Sequence, residues 1–164
     1  MIYQFKLRAV SSEPYHWHKQ IWEHFTYDCR PFVFAHDDGN LLCRSSVKPS
    51  CQSMIIRAPD SLVRFNVTAN VVVKQSGKRR PVTDMAALTN WIGRYINDVS
   101  ELVVNIPAPM RFCKRKRTHN TAERSGILHR VEFSGVGIVS DEAFCSGIGH
   151  ARSFGLGMIQ CSRL

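Results

Sequence analysis

The stretch GIGHARSFGLGM, residues 147–158, sets four glycines in twelve residues. Glycine loses more backbone freedom on folding than any other residue, so an ordered run this rich implies left-handed backbone or a very close approach to another group. The chain must close a tight turn there. A dinucleotide site would need G-x-G-x-x-G between a strand and a helix, but Arg152 follows GIGHA and the segment leads into strand-like residues, so that chemistry fails on context. The pattern that fits is G-I-G-x-x-[KR]-x-aromatic-G-x-G, whose glycines let backbone amides face a ligand.

With 164 residues and 44% apolar content, the chain suits one ordinary domain or two very small ones with a real core. No run approaches the ~18 apolar residues of a membrane span. Met1 leads directly into strand-like IYQFKLRAV rather than an apolar signal segment, which makes the cytoplasm the expected location. The six cysteines, Cys29, Cys43, Cys51, Cys113, Cys145 and Cys161, form no C-x-x-C pair, so they read as reduced thiols. His16 and His18 stand two apart, and on a helix they would point ~200° away from each other, which rules against a shared metal ion. Neither a metal nor a cofactor is expected.

Net charge is +9, and it is concentrated: residues 74–130 hold 12 of the 22 Lys and Arg but only 4 of the 13 Asp and Glu. Within that segment, GKRRP (77–81) and RFCKRKR (111–117) are dense enough to pair with a polyanion and release its counterions. A solvated basic loop is the plainer alternative. Neither run has the amphipathic pattern of a membrane-surface helix.

The order of elements is α+β. Residues 2–10 alternate as a strand, SSEP caps a helix from Pro14, and residues 15, 18, 21, 22 and 25 share one helical face. PFVFAH (31–36) and NLLCRSSV (40–47) form a hairpin about Asp38-Gly39. KPSCQSM (48–54) is too short and polar for the second helix of a split β-α-β unit, so the first half is truncated. LVRFNVTANVVVK (62–74) alternates, with Val63, Phe65, Val67 and Ala69 on one side and Arg64, Asn66, Thr68 and Asn70 on the other. Thr83 caps a helix whose Met85, Leu88, Ile92, Tyr95, Ile96 and Val99 recur at helical spacing. Residues 101–107 form a strand, 111–126 an exposed loop or twisted hairpin, 127–139 a long strand, 141–146 a short helix and 156–161 a last strand. Two small units of similar plan are expected, residues 1–75 and 76–164.

Taken in order along the chain, these segments resemble a known family. GIGHARSFGLGM is similar to the C-terminal glycine-rich loop of the RAMP superfamily of CRISPR RNA-processing proteins, and most closely to the CasE family. YHWHKQIWEHF with RPFVFAH resembles that family's Y-x-x-H-x-x-[IL]-W-x-x-F helix and following strand; VRFNVTAN resembles its central R-[FL]-x-x-x-A-N strand, and GILHRVEFSGVGIV its penultimate strand. The resemblance implies two ferredoxin-like (RRM-like) domains in tandem, here with a truncated first one. It also implies a metal-independent endoribonuclease that binds the CRISPR repeat hairpin and cuts at its 3′ base. The 2′-hydroxyl attacks the adjacent phosphorus, leaving a 2′,3′-cyclic phosphate. The protein then stays on the mature guide RNA as a subunit of the Cascade complex, beside the guide-RNA backbone protein.

Such a transesterification needs a base for the 2′-hydroxyl, an acid for the departing 5′-oxygen and donors for the charged phosphorane. On the residues alone, His18 belongs to the apolar stripe of Ile21, Trp22 and Phe25. The resemblance makes it the catalytic histidine, with Tyr15 one turn earlier, and Tyr15 reads equally as packing. Arg152 matches the family's basic position and faces a phosphate, the plainer alternative being a surface arginine at a turn. Gly147, Gly149, Gly155 and Gly157 shape the loop against the RNA backbone. Arg111, Lys114, Arg115, Lys116, Arg117 and Arg124 line the stem's phosphates, with Arg79 and Arg80 contributing. Two other readings stand beside this one. A non-catalytic subunit would bind the same hairpin without cutting it. A single-strand binder would need an aromatic platform, for which only Phe65 and Phe133 offer themselves.

Overall fold

In the computed structural model, which describes residues 1–26, 31–114 and 124–164, two four-stranded antiparallel sheets organise the chain. The first is built from β1 (Ile2–Arg8), β2 (Phe32–Asp37), β3 (Asn40–Ser45) and β4 (Met54–Ile56), in the order β2-β3-β1-β4. Asp38 and Gly39 both take positive φ, 42° and 72°, the conformation a two-residue hairpin turn demands, and they set the β2–β3 register Asp37↔Asn40. The second sheet comes from β5 (Val63–Ala69), β8 (Ile96–Asn105), β11 (Val131–Val139) and β12 (Gln160–Ser162), in the order β12-β5-β11-β8. In each sheet the first strand pairs with the third and the fourth, and the third with the second. β5 lies before residue 75 in the chain, and its partners are β11 and β12.

Two short hairpins stand apart from the sheets: β6 (Val72–Gln75) with β7 (Lys78–Pro81), and β9 (Met110–Lys114) with β10 (Arg124–Leu128). The helices are α1 (Pro14–Trp22), α2 (Met85–Ile92) and α3 (Asp141–Ser146). A 3₁₀ turn, Arg152–Phe154, lies inside the glycine stretch. As the short polar run 48–54 implies, no helix lies between β3 and β4.

The departures from the sequence reading have local causes. The strand expected over 62–74 ends at Ala69, and Asn70, expected on the polar side, is 6% exposed. Its carbonyl accepts from the His150 amide, so the glycine stretch covers it. The basic turn 76–81 is half strand, because Ser76 and Gly77 at positive φ fold β7 back on β6. The second helix is capped by Asp84, not Thr83: the Asp84 carboxylate accepts from the Ala87 amide at 2.7 Å. That helix stops at Ile92 with Gly93 as its cap, so Tyr95, Ile96 and Val99 lie beyond it, the last two in β8. The helical spacing of those residues was coincidence with a bulged strand. The long strand expected over 127–139 breaks at His129–Arg130 into β10 and β11.

α1 also ends early, at Trp22 rather than Phe25, and buries a different face. Pro14, Trp17 and Ile21 point inward, while Tyr15, His18 and Trp22 are half-buried at its flank. The core of the first unit is Phe5, Trp17, Ile21, Phe32, Phe34, Leu41 and Cys43. The second unit's core is larger, centred on Phe65, Leu88, Ile92, Phe133, Phe144 and Ile148. Phe65 and Phe133 are 2% and 1% exposed and face inward, so the aromatic platform needed by a single-strand binder is not on this sheet surface. No helix among the described residues is long and apolar enough to cross a membrane.

Candidate active site

α1 starts on a small network. Ser11 Oγ accepts from the Glu13 amide and lies 3.1 Å from His16 Nδ1, while the Ser11 carbonyl accepts from Trp17 Nε1 at 2.7 Å. Gln20 ties the helix to the end of β1, donating to the Arg8 carbonyl and accepting from the Val10 amide. Pro14 occupies the first turn, where its missing N–H costs nothing. These contacts fix which way the flanking residues project.

His18 lies against an aromatic wall. Its ring centroid is 5.5 Å from that of Phe32 and 6.0 Å from that of Trp22, and Phe25 stacks on Phe32 at 5.4 Å. Trp22 Nε1 donates to His18 Nε2 at 3.1 Å. An indole nitrogen only donates, so Nε2 is the acceptor here and the neutral imidazole carries its proton on Nδ1. Tyr15 projects from the preceding turn, with the Lys19 ammonium 5.0 Å over its ring. Lys19 thus brings a cation to this flank, a residue that sequence reasoning passed over although its i+4 spacing from Tyr15 was legible.

The glycine stretch reaches the same helix from the other unit. Gly157 has φ 88°, and a Cβ there would lie 2.0 Å from the Ile148 carbonyl oxygen, so only glycine closes this loop. A Cβ on Gly155 would lie 3.0 Å from the Phe34 ring, which places the turn directly over β2. The amides of Gly147, Gly155 and Gly157 donate to the carbonyls of Ala143, Arg152 and Thr68. Their glycines therefore shape the loop, and those N–H groups are engaged within the protein rather than aimed at a ligand. Arg152 is exposed and donates from Nη1 to the Ser146 carbonyl at 2.7 Å, which fastens the turn to the end of α3 and leaves the rest of the guanidinium at the surface.

The 3₁₀ turn touches α1, and so does β9. Phe112 of β9 packs on Phe154 of the turn with ring centroids 4.5 Å apart. Gly126 opposite it leaves room, since a Cβ there would lie 2.5 Å from the Phe112 ring. Helix, turn and basic hairpin therefore meet at one place. Arg111 is exposed on β9, and Lys114 and Arg124 pair across the hairpin. Arg115, Lys116 and Arg117 lie outside the described residues. Arg79 and Arg80 are exposed on β7, a separate hairpin.

His36, which offered no sequence pattern, stacks on Trp17 at 4.1 Å with the rings 6° apart. Together with Asn66, Thr68, Arg130, Phe154 and Gln160 it lines a cleft of about 140 Å³ beside the turn. Only tertiary contact could reveal this cluster, because its members come from five elements and connecting segments. Among the described residues no group of three or more His, Cys, Asp or Glu is placed to hold a metal ion.

A family model described as CRISPR associated protein matches residues 3–163. Among solved structures, the CRISPR-associated protein Cas6e from Escherichia coli K-12 superposes with a TM-score of 0.73 at 19% identity, covering 100% of both chains. Thermus thermophilus Cse3, bound to an RNA representing a pre-cleavage complex, gives a TM-score of 0.68 at 16% identity over 98% of each chain. A chain of a CRISPR RNA-guided surveillance complex gives 0.66 at 14% identity, covering 99% of this chain and 100% of that one. These likenesses establish the fold. No curated protein sequence matches the chain.

Proposed function

The chain belongs to the CRISPR associated protein family, and from that premise we propose that it is an endoribonuclease that binds the repeat hairpin of a CRISPR precursor RNA and cuts at its 3′ base. The observation that carries this reading is the meeting of α1, the glycine turn and the basic hairpin, held by the Phe112–Phe154 pair. Relatives of the same fold include a Cse3 bound to RNA and a subunit of an RNA-guided surveillance complex. Both units are taken as ferredoxin-like, the first without its second helix; in place of the division 1–75 and 76–164 expected from the sequence, we propose a boundary in residues 57–62, because β5 pairs with β11 and β12.

The chemistry needs no metal in this reading. His18, neutral and protonated on Nδ1, takes the ribose 2′-hydroxyl proton at Nε2 by exchanging the Trp22 indole for the hydroxyl. The 2′-oxygen bonds to phosphorus, the bond to the 5′-oxygen breaks as that oxygen takes a proton from water and leaves as a 5′-hydroxyl, and a 2′,3′-cyclic phosphate remains. Lys19 and the free side of Arg152 supply positive charge for the phosphorane, with Tyr15 beside them. Arg111, Lys114 and Arg124 run along the stem's phosphates, with Arg115, Lys116 and Arg117 continuing the same basic stretch and Arg79 and Arg80 adding long-range attraction. After cutting, the protein keeps the stem and joins the other Cascade subunits.

Single-turnover cleavage of the cognate repeat RNA tests this. His18→Ala is expected to slow cleavage by roughly 10²–10⁴-fold with binding retained, and EDTA is expected to leave the wild-type rate unchanged. An equally fast His18→Ala protein removes the imidazole from the mechanism. Tight binding by the wild type without product identifies a non-catalytic hairpin-binding subunit instead.

A further inference from the structure

Strand alternation on β3 turns Leu41 and Cys43 toward α1 and sends Arg44 to the opposite face, against the second unit. Arg44 is 3% exposed. Both of its hydrogen bonds leave from Nη1, to the carbonyls of Phe144 at 2.6 Å and Ile159 at 3.2 Å, and its guanidinium carbon lies 3.5 Å from the centre of the Phe144 ring. Nε is buried without a partner. Burial lowers the guanidinium to about 10 from its usual value. No carboxylate pairs with it: the one ion pair among the described residues joins Arg64 and Glu101. Carbonyls and a ring face satisfy part of a five-donor group but bring no neutralising charge, so a buried cation remains without its anion.

Arg44 lines a cavity of about 660 Å³ that lies on the side of the first sheet away from α1. Arg57 and Arg163, both exposed, share the lining, as do the hydroxyls of Ser61 and Ser162 and one acidic side chain, Asp60. Three guanidinium groups with two hydroxyls around an open cavity suit a compact oxyanion that accepts several hydrogen bonds at once. We propose that this cavity is a phosphate-binding site, with Arg44 at its floor and Arg57 and Arg163 at its rim. It is separate from the α1 site and does not depend on the cleavage reading. The phosphate is either free, as a small phosphate ester, or a phosphodiester of an RNA strand passing behind the first sheet.

Inorganic phosphate titrated into the full chain tests the site, followed by calorimetry and by the NMR signals of arginine Nε–H groups. Saturable binding that shifts the Arg44 Nε–H signal is expected. The Arg57→Ala/Arg163→Ala double variant is expected to bind roughly ten-fold more weakly. Both rim residues are exposed, so this variant keeps the test valid even where an Arg44 substitution unfolds the interface. Absence of saturable binding, or equal affinity in the double variant, overturns the proposal. Binding that appears only after Asp60→Asn also overturns it, because Asp60 is then the native counter-ion. A short single-stranded RNA that displaces phosphate from the Arg44 signal assigns the site to an RNA backbone, and one that leaves phosphate in place assigns it to small phosphates.

Discussion

The two sheets share one strand order but are covered differently. In the second, α2 and α3 lie over a continuous core from Phe65 to Ile159, with Trp91 stacked on Phe133 at 5.6 Å. In the first, α1 works alone, and Met54 and Ile55 on the edge strand stay 62% and 63% exposed. Its other face leans on the second unit: Val33 lies against Gly147, and Arg44 reaches the carbonyls of Phe144 and Ile159. The first unit thus depends on its neighbour, and the proposed catalytic residues sit on the dependent unit. Functional groups belong on surfaces that remain open, and a lightly covered unit supplies one at the low end of local stability.

Removing a ring from each core strains this comparison hardest. Phe133→Ala is expected to cost about 4 kcal/mol, lowering Tm by roughly 8–16 °C in a thermal melt. Phe25→Ala, in the half-buried wall of the first unit, is expected to cost about half as much while slowing cleavage more. Equal losses of stability would erase the distinction between the units. Gly157→Ala comes next, because its Cβ meets the Ile148 carbonyl. We expect about 2–3 kcal/mol of strain and a cleavage defect larger than the melt alone explains.

Trp22→Phe keeps a ring against Phe32 and deletes the indole donor. Cleavage is expected to fall by up to about ten-fold, the scale of one hydrogen bond, with Tm little changed. In ¹⁵N spectra His18 is expected to lose its fixed Nδ1–H tautomer, and an unchanged spectrum would show that Trp22 does not orient it. The smallest effect concerns the thiols. Burial pushes the Cys43 thiol far above its usual range, so its thiolate, the reactive form, is scarce at pH 8. Mapped by mass spectrometry, iodoacetamide should spare Cys43 in the folded chain and label it on unfolding.

Much of this was legible where a local rule decides. Asp38-Gly39 fixed its hairpin, the short polar run 48–54 excluded a helix, and the short helix expected over 141–146 is α3. Spacing failed where two periods overlap. Tyr95, Ile96 and Val99 continue a helical pattern past Gly93, yet β8 takes the last two because Ile96 completes the second core. Trp17 was missed as the buried face of α1, since its partner His36 arrives from a strand end nineteen residues later. Arg44 was invisible for the same kind of reason. An arginine alternating with apolar residues on a strand reads as solvent-facing, and only the packing of one unit on the other reveals a buried guanidinium.

In the proposed mechanism the glycine turn of the second unit holds the His18 helix of the first beside the basic hairpin, on the path of the RNA. The structure of the complex with its repeat RNA, carrying a 2′-deoxy sugar at the cut, measures this directly. The scissile phosphate is expected beside His18, with the 2′ position within hydrogen-bond reach of Nε2 and the stem along β9–β10. A phosphate bound away from α1, or a stem that leaves the β9–β10 hairpin untouched, would contradict it.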